Sequence, residues 1–247
     1  MIKFFRSIRK SLLMENKTGK YFKYAIGEIV LVVIGILIAL QINTWNQEKS
    51  NQSTLKQFLV EYKEELRLNI KDFKLDIKLI ASQKKNNDNL LKNKRLDTIP
   101  LDSLEKHLEP AYIKVSYSPT LLKRFENSQI TNYGKYDSIF YNLQELYGYL
   151  WPEFNIDKNK HNTKVDEIKS YWLYQQSNYE FNFSHGDNTF INDSTQRKKV
   201  LINLLMSPKA RNLLKVDSRS KEFIKKKMDQ LKGFAETNLK EINKLLE

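Results

Sequence analysis

One segment restricts this chain more than any other: Tyr24 to Ile42, YAIGEIVLVVIGILIALQI. Its 19 residues make a helix of ~28 Å at the α-helical rise, close to the hydrocarbon thickness of a bilayer. From Ile29 to Leu40 every residue is apolar or glycine, so a helix here has no polar face to turn to water. A core helix of a soluble protein would keep such a face, and the segment therefore reads as a membrane span. The mean hydropathy of −0.59 hides it, because the rest of the chain is polar. A cleaved signal peptide shares the basic leader and apolar stretch. After Ala39, however, the chain continues Leu-Gln-Ile-Asn-Thr-Trp-Asn without a small-x-small cleavage site, which favours an uncleaved anchor.

Charges beside the span predict its direction. Residues 1–23 carry Lys3, Arg6, Arg9, Lys10, Lys17, Lys20 and Lys23 against Glu15, whereas Asn43 to Ser53 holds one glutamate and one lysine. The positive-inside rule then places the N-terminus in the cytoplasm and residues 43–247 beyond a bacterial inner membrane, in the periplasm. Tyr21, Phe22 and Tyr24 before the span and Trp45 after it suit the two headgroup belts. Phe5, Ile8 and Leu12 form a helical stripe among Lys3, Arg6, Arg9 and Lys10, a pattern that lies on anionic lipid. A short tethered arm with no folded reading element argues against nucleic acid as a partner.

Glu28 is the one charged residue inside the span. At 100° per residue it shares a narrow face with Gly35 and Ala39, flanked by Gly27 and Leu31. Small residues let helix backbones approach closely and a carboxyl group can bond across the contact, so this face is a candidate seam for another membrane helix. The alternative is that Glu28 reaches back to the cytoplasmic headgroups beside Lys23 or Lys20.

The stretch MIKFFRSIRKSLLMENKTGKYFKYAIGEIVLVVIGILIALQINTWNQEK, residues 1–49, resembles the opening of a family of Bacteroidota membrane proteins described only as a domain of unknown function. Its specific part is YAIGEIVLVVIGILIALQIN followed by Trp45 and Asn46. The resemblance implies a single-span, mostly helical membrane protein and brings no activity with it. Beyond residue 49 the likeness is one of outline, and Tyr133 to Ile191 departs from it.

The remainder reads as a mainly α, extracytoplasmic helical bundle. Seven glycines and five prolines are too few for a β-sandwich or a nucleotide-binding α/β fold. Leu55, Leu59, Tyr62, Leu66, Ile70, Phe73, Ile77 and Ile80 recur at steps of three and four. With no proline or glycine from Thr44 to Ser82, this helix can continue from the span as a stalk. Ser82 to Asn89 reads as a fraying end and Asp97 to Pro100 as a connection. Further helices are expected at Leu101–Leu108, from Ser118-Pro119 to Phe125, at Tyr136–Leu150 with a stop at Trp151-Pro152, at Thr163–Tyr174, at Gln196–Met206, from Pro208 to Leu214, and from Ser218 onward. In the last, Ile224, Met228, Leu231, Ala235, Ile242 and Leu245 form a coiled-coil-like seam. Tyr179, Phe181 and Phe183 alternate with polar residues ahead of Ser184-His185-Gly186-Asp187, which leaves room for one small hairpin, although a lone ribbon is marginal. The simplest packing sets the first and last long helices side by side.

Chemistry is sparse. Without cysteine there is no disulfide, thiolate metal site or thiol nucleophile. His107, His161 and His185 stand in no metal-ligand spacing and read as surface or turn residues. No phosphate-binding glycine loop or nucleophile elbow occurs. We therefore expect no catalytic, cofactor or metal residues. Lys221, Lys225, Lys226, Lys227 and Lys232 form either a solvated face or a surface for an acidic partner. Of 29 aromatic residues 18 lie between Tyr112 and Phe190, as a binding surface or as filling for one end of a bundle. The expected role is a noncatalytic interaction module that touches membrane lipids and binds another membrane or envelope protein, or a second copy of itself. A periplasmic ligand sensor acting through a partner is the alternative, with a membrane-tethered enzyme third.

Overall fold

The computed structural model describes Met14 and residues 18–109, 111–181 and 193–247. Its elements are α1 (Thr18–Lys92), α2 (Leu101–Leu108), α3 (Thr120–Asn127), α4 (Asp137–Glu145), a π-turn (Leu146–Leu150), α5 (Trp151–Tyr174), α6 (Ser194–Met206) and α7 (Pro208–Leu246), with short 3₁₀ turns at Leu96–Thr98 and Gly134–Tyr136. The protein is mainly α, with no strand among the described residues. It divides into two compact units, Met1–Lys56 and Gln57–Glu247. The proposed hairpin falls largely on residues outside those described; Tyr179 and Phe181 lie in neither helix nor strand.

Within the second unit the apolar series of α1 turns inward as its period requires: Leu59, Tyr62, Leu66, Ile70, Phe73 and Ile80 are buried. Ile77 is only partly covered, and the neighbouring Asp76 takes the buried place. Its Oδ2 accepts the backbone N–H groups of Lys114 and Val115, both at 2.8 Å. The carboxylate thereby pins the connection between α2 and α3 at Lys114 and Val115, whose amides have no helix to satisfy them.

Four expectations are corrected. Ser82 to Asn89 does not fray, because α1 continues to Lys92 and Asn87, 2% exposed, turns into the interior. Pro152 does not stop a helix. A proline ring inside an α-helix collides with the carbonyl four residues back and removes a donor. Here the chain widens just before it, with the Trp151 N–H donating to the Leu146 carbonyl across a π-turn. That wider turn accommodates the ring, so helical structure runs from Asp137 to Tyr174, including the stretch before Thr163. The third correction concerns Lys215 to Asp217, where no break occurs: α7 is one helix. That tripeptide contains no glycine or proline, and Asp217 is buried. Finally, Pro119 precedes α3 rather than opening it, while the Ser118 hydroxyl accepts the Thr120 N–H at 3.3 Å.

Two helix starts follow capping chemistry. Asp193 accepts the N–H groups of Thr195 and Gln196 ahead of α6, and Ser207 accepts that of Ala210 with Pro208 in the first turn of α7. Each relieves donors that no helix carbonyl reaches.

The second unit's interior has an aromatic end and an aliphatic end. At the first, Phe125 stacks on Phe140 at 4.4 Å, Phe58 meets Phe125 edge-on, and Trp151 stacks between Phe73 and Tyr117 at 5.1 and 4.9 Å. At the other, Leu90, Leu96, Leu104, Leu108, Trp172, Leu201, Leu205 and Leu214 pack together from α1, the 3₁₀ turn at Leu96–Thr98, α2, α5, α6 and α7. There Glu105 receives the Tyr179 hydroxyl and, at 2.7 Å, the Arg197 guanidinium. This ties the chain after α5 and the start of α6 to α2. Along α7, Ile224, Met228, Leu231, Ala235 and Ile242 are buried, with Asn238 in the same seam; Leu245 is partly covered. The α7 helix lies beside the Gln57–Lys92 part of α1, joined by Asn87–Asp217, Asp88–Ser218, the Leu91 carbonyl with Arg211, and Lys74–Glu236.

Candidate functional site

In the first unit α1 is uncovered along its apolar window, none of which is buried by the chain itself. Gly27, Glu28, Leu31, Gly35 and Ala39 lie along this helix, and a Cβ built on Gly27 or Gly35 would meet nothing within 4 Å. The small-residue stripe is thus open. Phe22, Tyr24 and Trp45 are exposed at the flanks, and the Lys49 ammonium sits 5.6 Å from the Trp45 ring centre. Lys3, Arg6, Arg9, Lys10 and the side chain of Tyr21 lie outside the described residues. Among the described residues one helix is long and apolar enough to cross a membrane.

The second unit holds a feature that sequence reading missed, a polar cluster inside the protein. Asn87 of α1 donates to Asp217 Oδ2 at 2.7 Å, and Lys221, one turn further along α7, donates to the same oxygen. The side chains of Asp217 and Lys221 are 8% and 5% exposed. Such a pair must be closely bonded to offset lost hydration. Next to it His161, 3% exposed, pairs through Nδ1 with Ser220 Oγ at 2.8 Å. The histidine is therefore a core residue rather than the surface residue expected. Burial, opposed by Asp217 and reinforced by Lys221, holds its pKa down at about 4, so the ring is neutral near pH 7. His107, partly covered, is also shifted down by burial. His185 lies outside the described residues.

A serine, a histidine and an aspartate so close together invite comparison with a hydrolytic relay. The geometry does not form one. In a relay the carboxylate bonds the ring nitrogen opposite the serine, whereas His161 Nε2 is buried without a protein partner and Asp217 Oδ2 is taken by Asn87 and Lys221. Ser220 also lies within α7, where backbone N–H groups are engaged along the helix and cannot form an oxyanion hole. Among the described residues no group of three or more histidine or acidic side chains is placed to hold a metal ion.

Against this cluster lies a small cavity of about 10 Å³, lined by Asn87, His107, Leu108, Glu109, Ala111, Val165, Ile168, Trp172, Leu214, Asp217 and Lys221. Two of its lining residues carry buried polar atoms without a protein partner, Trp172 Nε1 and His107 Nδ1.

A second polar group lies among the aromatic rings. Asn69 donates to the Tyr147 hydroxyl at 3.0 Å. Tyr147 in turn bonds Glu65, whose pKa is raised, first by burial and secondarily by the Glu61 charge, against the lowering effect of the Tyr147 bond. Most aromatic residues between Tyr112 and Tyr179 form the interior rather than a contact surface, though Tyr141, Tyr149 and Tyr174 are exposed.

The lysine run of α7 is largely neutralised within the chain. Lys221 is internal, Lys225 pairs with Asp229, Lys227 with Glu153 and Asp157, and Lys232 with Glu236. These pairs spend much of the charge that an acidic partner would need. The outer side of α1 instead presents exposed apolar residues, Val60, Leu68, Leu75 and Leu79.

The comparisons with known proteins come down to one family. Residues 28–144 match a family of unknown function (DUF6090). That match overlaps the stretch carrying the resemblance seen in sequence over residues 28–49 and continues to the end of α4's first eight residues. No curated protein and no solved structure matches the chain.

Proposed function

We propose that this protein is a membrane-anchored, noncatalytic interaction module: α1 crosses a bacterial inner membrane once, and the second unit offers a binding surface in the periplasm. The observation that carries the anchoring is the complete exposure of the apolar window of α1. Leaving such side chains in water forfeits ~25 cal/mol for each Å² of apolar surface, and a bilayer removes that loss. Charge asymmetry about the window supports the stated orientation. The partner is another membrane or envelope protein, and the outward apolar row Val60, Leu68, Leu75 and Leu79 supports a contact along the second unit's part of α1. Membrane lipids are the other contact.

The test combines extraction and topology. Full-length protein in membrane vesicles should resist carbonate washing, and protease added outside spheroplasts should remove the second unit. Release by carbonate, or protection of the second unit in spheroplasts, overturns the reading. A photocrosslinker at residue 68 or 75 should give a discrete adduct, and one at the inward-facing residue 66 should not.

A further inference from the structure

We propose that the cavity between the end of α2, α5 and α7 binds a single structural water molecule, which links the Trp172 indole N–H to Asp217 and His107. The site is built from the interior outward. Trp172 is 1% exposed, and its Nε1, a donor with no alternative role, has no protein acceptor. A buried donor left without an acceptor is costly, so the indole N–H calls for one. His107 also lines the space, and its Nδ1 is likewise buried and without a protein partner. Asp217 also lines the space, and its bonds from Asn87 and Lys221 both fall on Oδ2, which leaves Oδ1 to accept. The indole donor, Asp217 Oδ1 as acceptor and His107 Nδ1, which accepts in the Nε2-protonated tautomer and donates in the other, match the two to four partners that an internal water needs.

Size and charge select water over other ligands. The volume of about 10 Å³ corresponds to roughly one water-sized probe and excludes any organic molecule. The walls carry the Asp217–Lys221 ion pair, so an anion would meet the Asp217 carboxylate. A cation would meet the Asp217 carboxylate but also the Lys221 ammonium and the indole N–H, and among the described residues no group of three or more histidine or acidic side chains is placed to hold a metal ion. A neutral molecule that both donates and accepts satisfies the walls without adding charge. Bound there, it joins α2, α5 and α7 at the edge of the Asp217–Lys221 pair.

A crystal structure of the full-length protein in detergent, at a resolution that shows ordered solvent, should contain one peak ~2.7–3.2 Å from Trp172 Nε1 and within reach of Asp217 or His107. An empty cavity, or direct bonding of Nε1 to a protein acceptor, overturns the proposal. So does an anomalous peak at the site after bromide soaking, which would identify an anion pocket. In solution, the Trp172 indole proton should show a direct cross-relaxation peak to long-lived water. The chain has three tryptophans, so the resonance is assigned by its loss in Trp172→Phe. Absence of that peak in a protein with an intact amide spectrum overturns the proposal without requiring crystals.

Discussion

Asn87 and Asp217 are joined by a hydrogen bond of 2.7 Å across 130 residues of sequence. The amide comes from a stretch of α1 that looks like a polar helix end, and the carboxylate from a tripeptide that looks like a break between helices. Their pairing explains why neither place is a break. Each residue spends its polar group on the other, and Lys221 completes the set by neutralising the carboxylate. The helices are held in register there by polar bonds that tolerate little sliding, whereas an apolar seam alone would permit more.

Removing the carboxylate should therefore harm the protein more than removing the whole pair. Asp217→Ala leaves the Lys221 ammonium buried without its counter-charge and should cost roughly 3–5 kcal/mol. The double variant Asp217→Leu with Lys221→Met should lose much less. Urea denaturation of the two variants against wild type measures the difference, and equal losses would show that the ion pair is not the origin.

His161 predicts an acid-sensitive fold. Its pKa is held down at about 4 in the folded state, against ~6.5 for an unperturbed histidine. The unfolded chain thus takes up the proton first. The stabilisation is complete above about pH 6.5 and is lost progressively as pH falls toward 4, by an amount on the order of 3 kcal/mol. Thermal melts between pH 7.5 and 4 should show this decline. In His161→Gln the slope across that window should shrink by about one bound proton.

Gly148 lies in the π-turn before Pro152, and a Cβ placed on it would approach Leu122 Cδ2 at 3.8 Å, an ordinary contact. Its backbone does not need glycine's freedom. Gly148→Ala should therefore be neutral or stabilise by up to about 1 kcal/mol, through lower entropy of the unfolded chain. A loss of stability would mean that the wide turn needs more room than the static structure shows.

The proposed anchor makes a sharper demand at its centre than at its ends. Val33→Arg should disfavour insertion by about 3 kcal/mol, raising the share of protein released by carbonate. The same substitution at Trp45 should change that share little, because arginine can remain among headgroups. Similar release from both variants would argue against a span centred near Val33.

Much of the helical layout was legible from periodicity. The seam from Leu59 to Ile80, α2 with its stated ends and the line from Ile224 to Ile242 all follow from apolar residues three and four apart, a spacing that makes one buried stripe on any helix. The places where reading failed share a cause. Ser82 to Asn89 and Lys215 to Asp217 are polar, and single-sequence reasoning sends polar residues to water. Asn69, Asp76, Asn87, Glu105, Asp217 and Lys221 are buried nonetheless. The available signal was weak: each of Asp76, Asn87, Asp217 and Lys221 falls on the inward stripe of an otherwise amphipathic helix. Pro152 misled for the opposite reason, since a proline penalised in an α-helix is tolerated after a π-turn, and no local letter announces one.

Local spacing and composition settled most of the helical segments, the apolar window that suits a bilayer, and the lack of thiol chemistry. Those properties depend on composition and on neighbours a few residues away, where local sterics and hydrophobic spacing act. Long-range packing made His161 a neutral core residue, paired most of the α7 lysines, turned most of the aromatic residues into an interior, and set Trp172 and His107 against a water-sized space. Each of those outcomes depends on what stands opposite a side chain, and the opposing groups come from helices far apart in sequence.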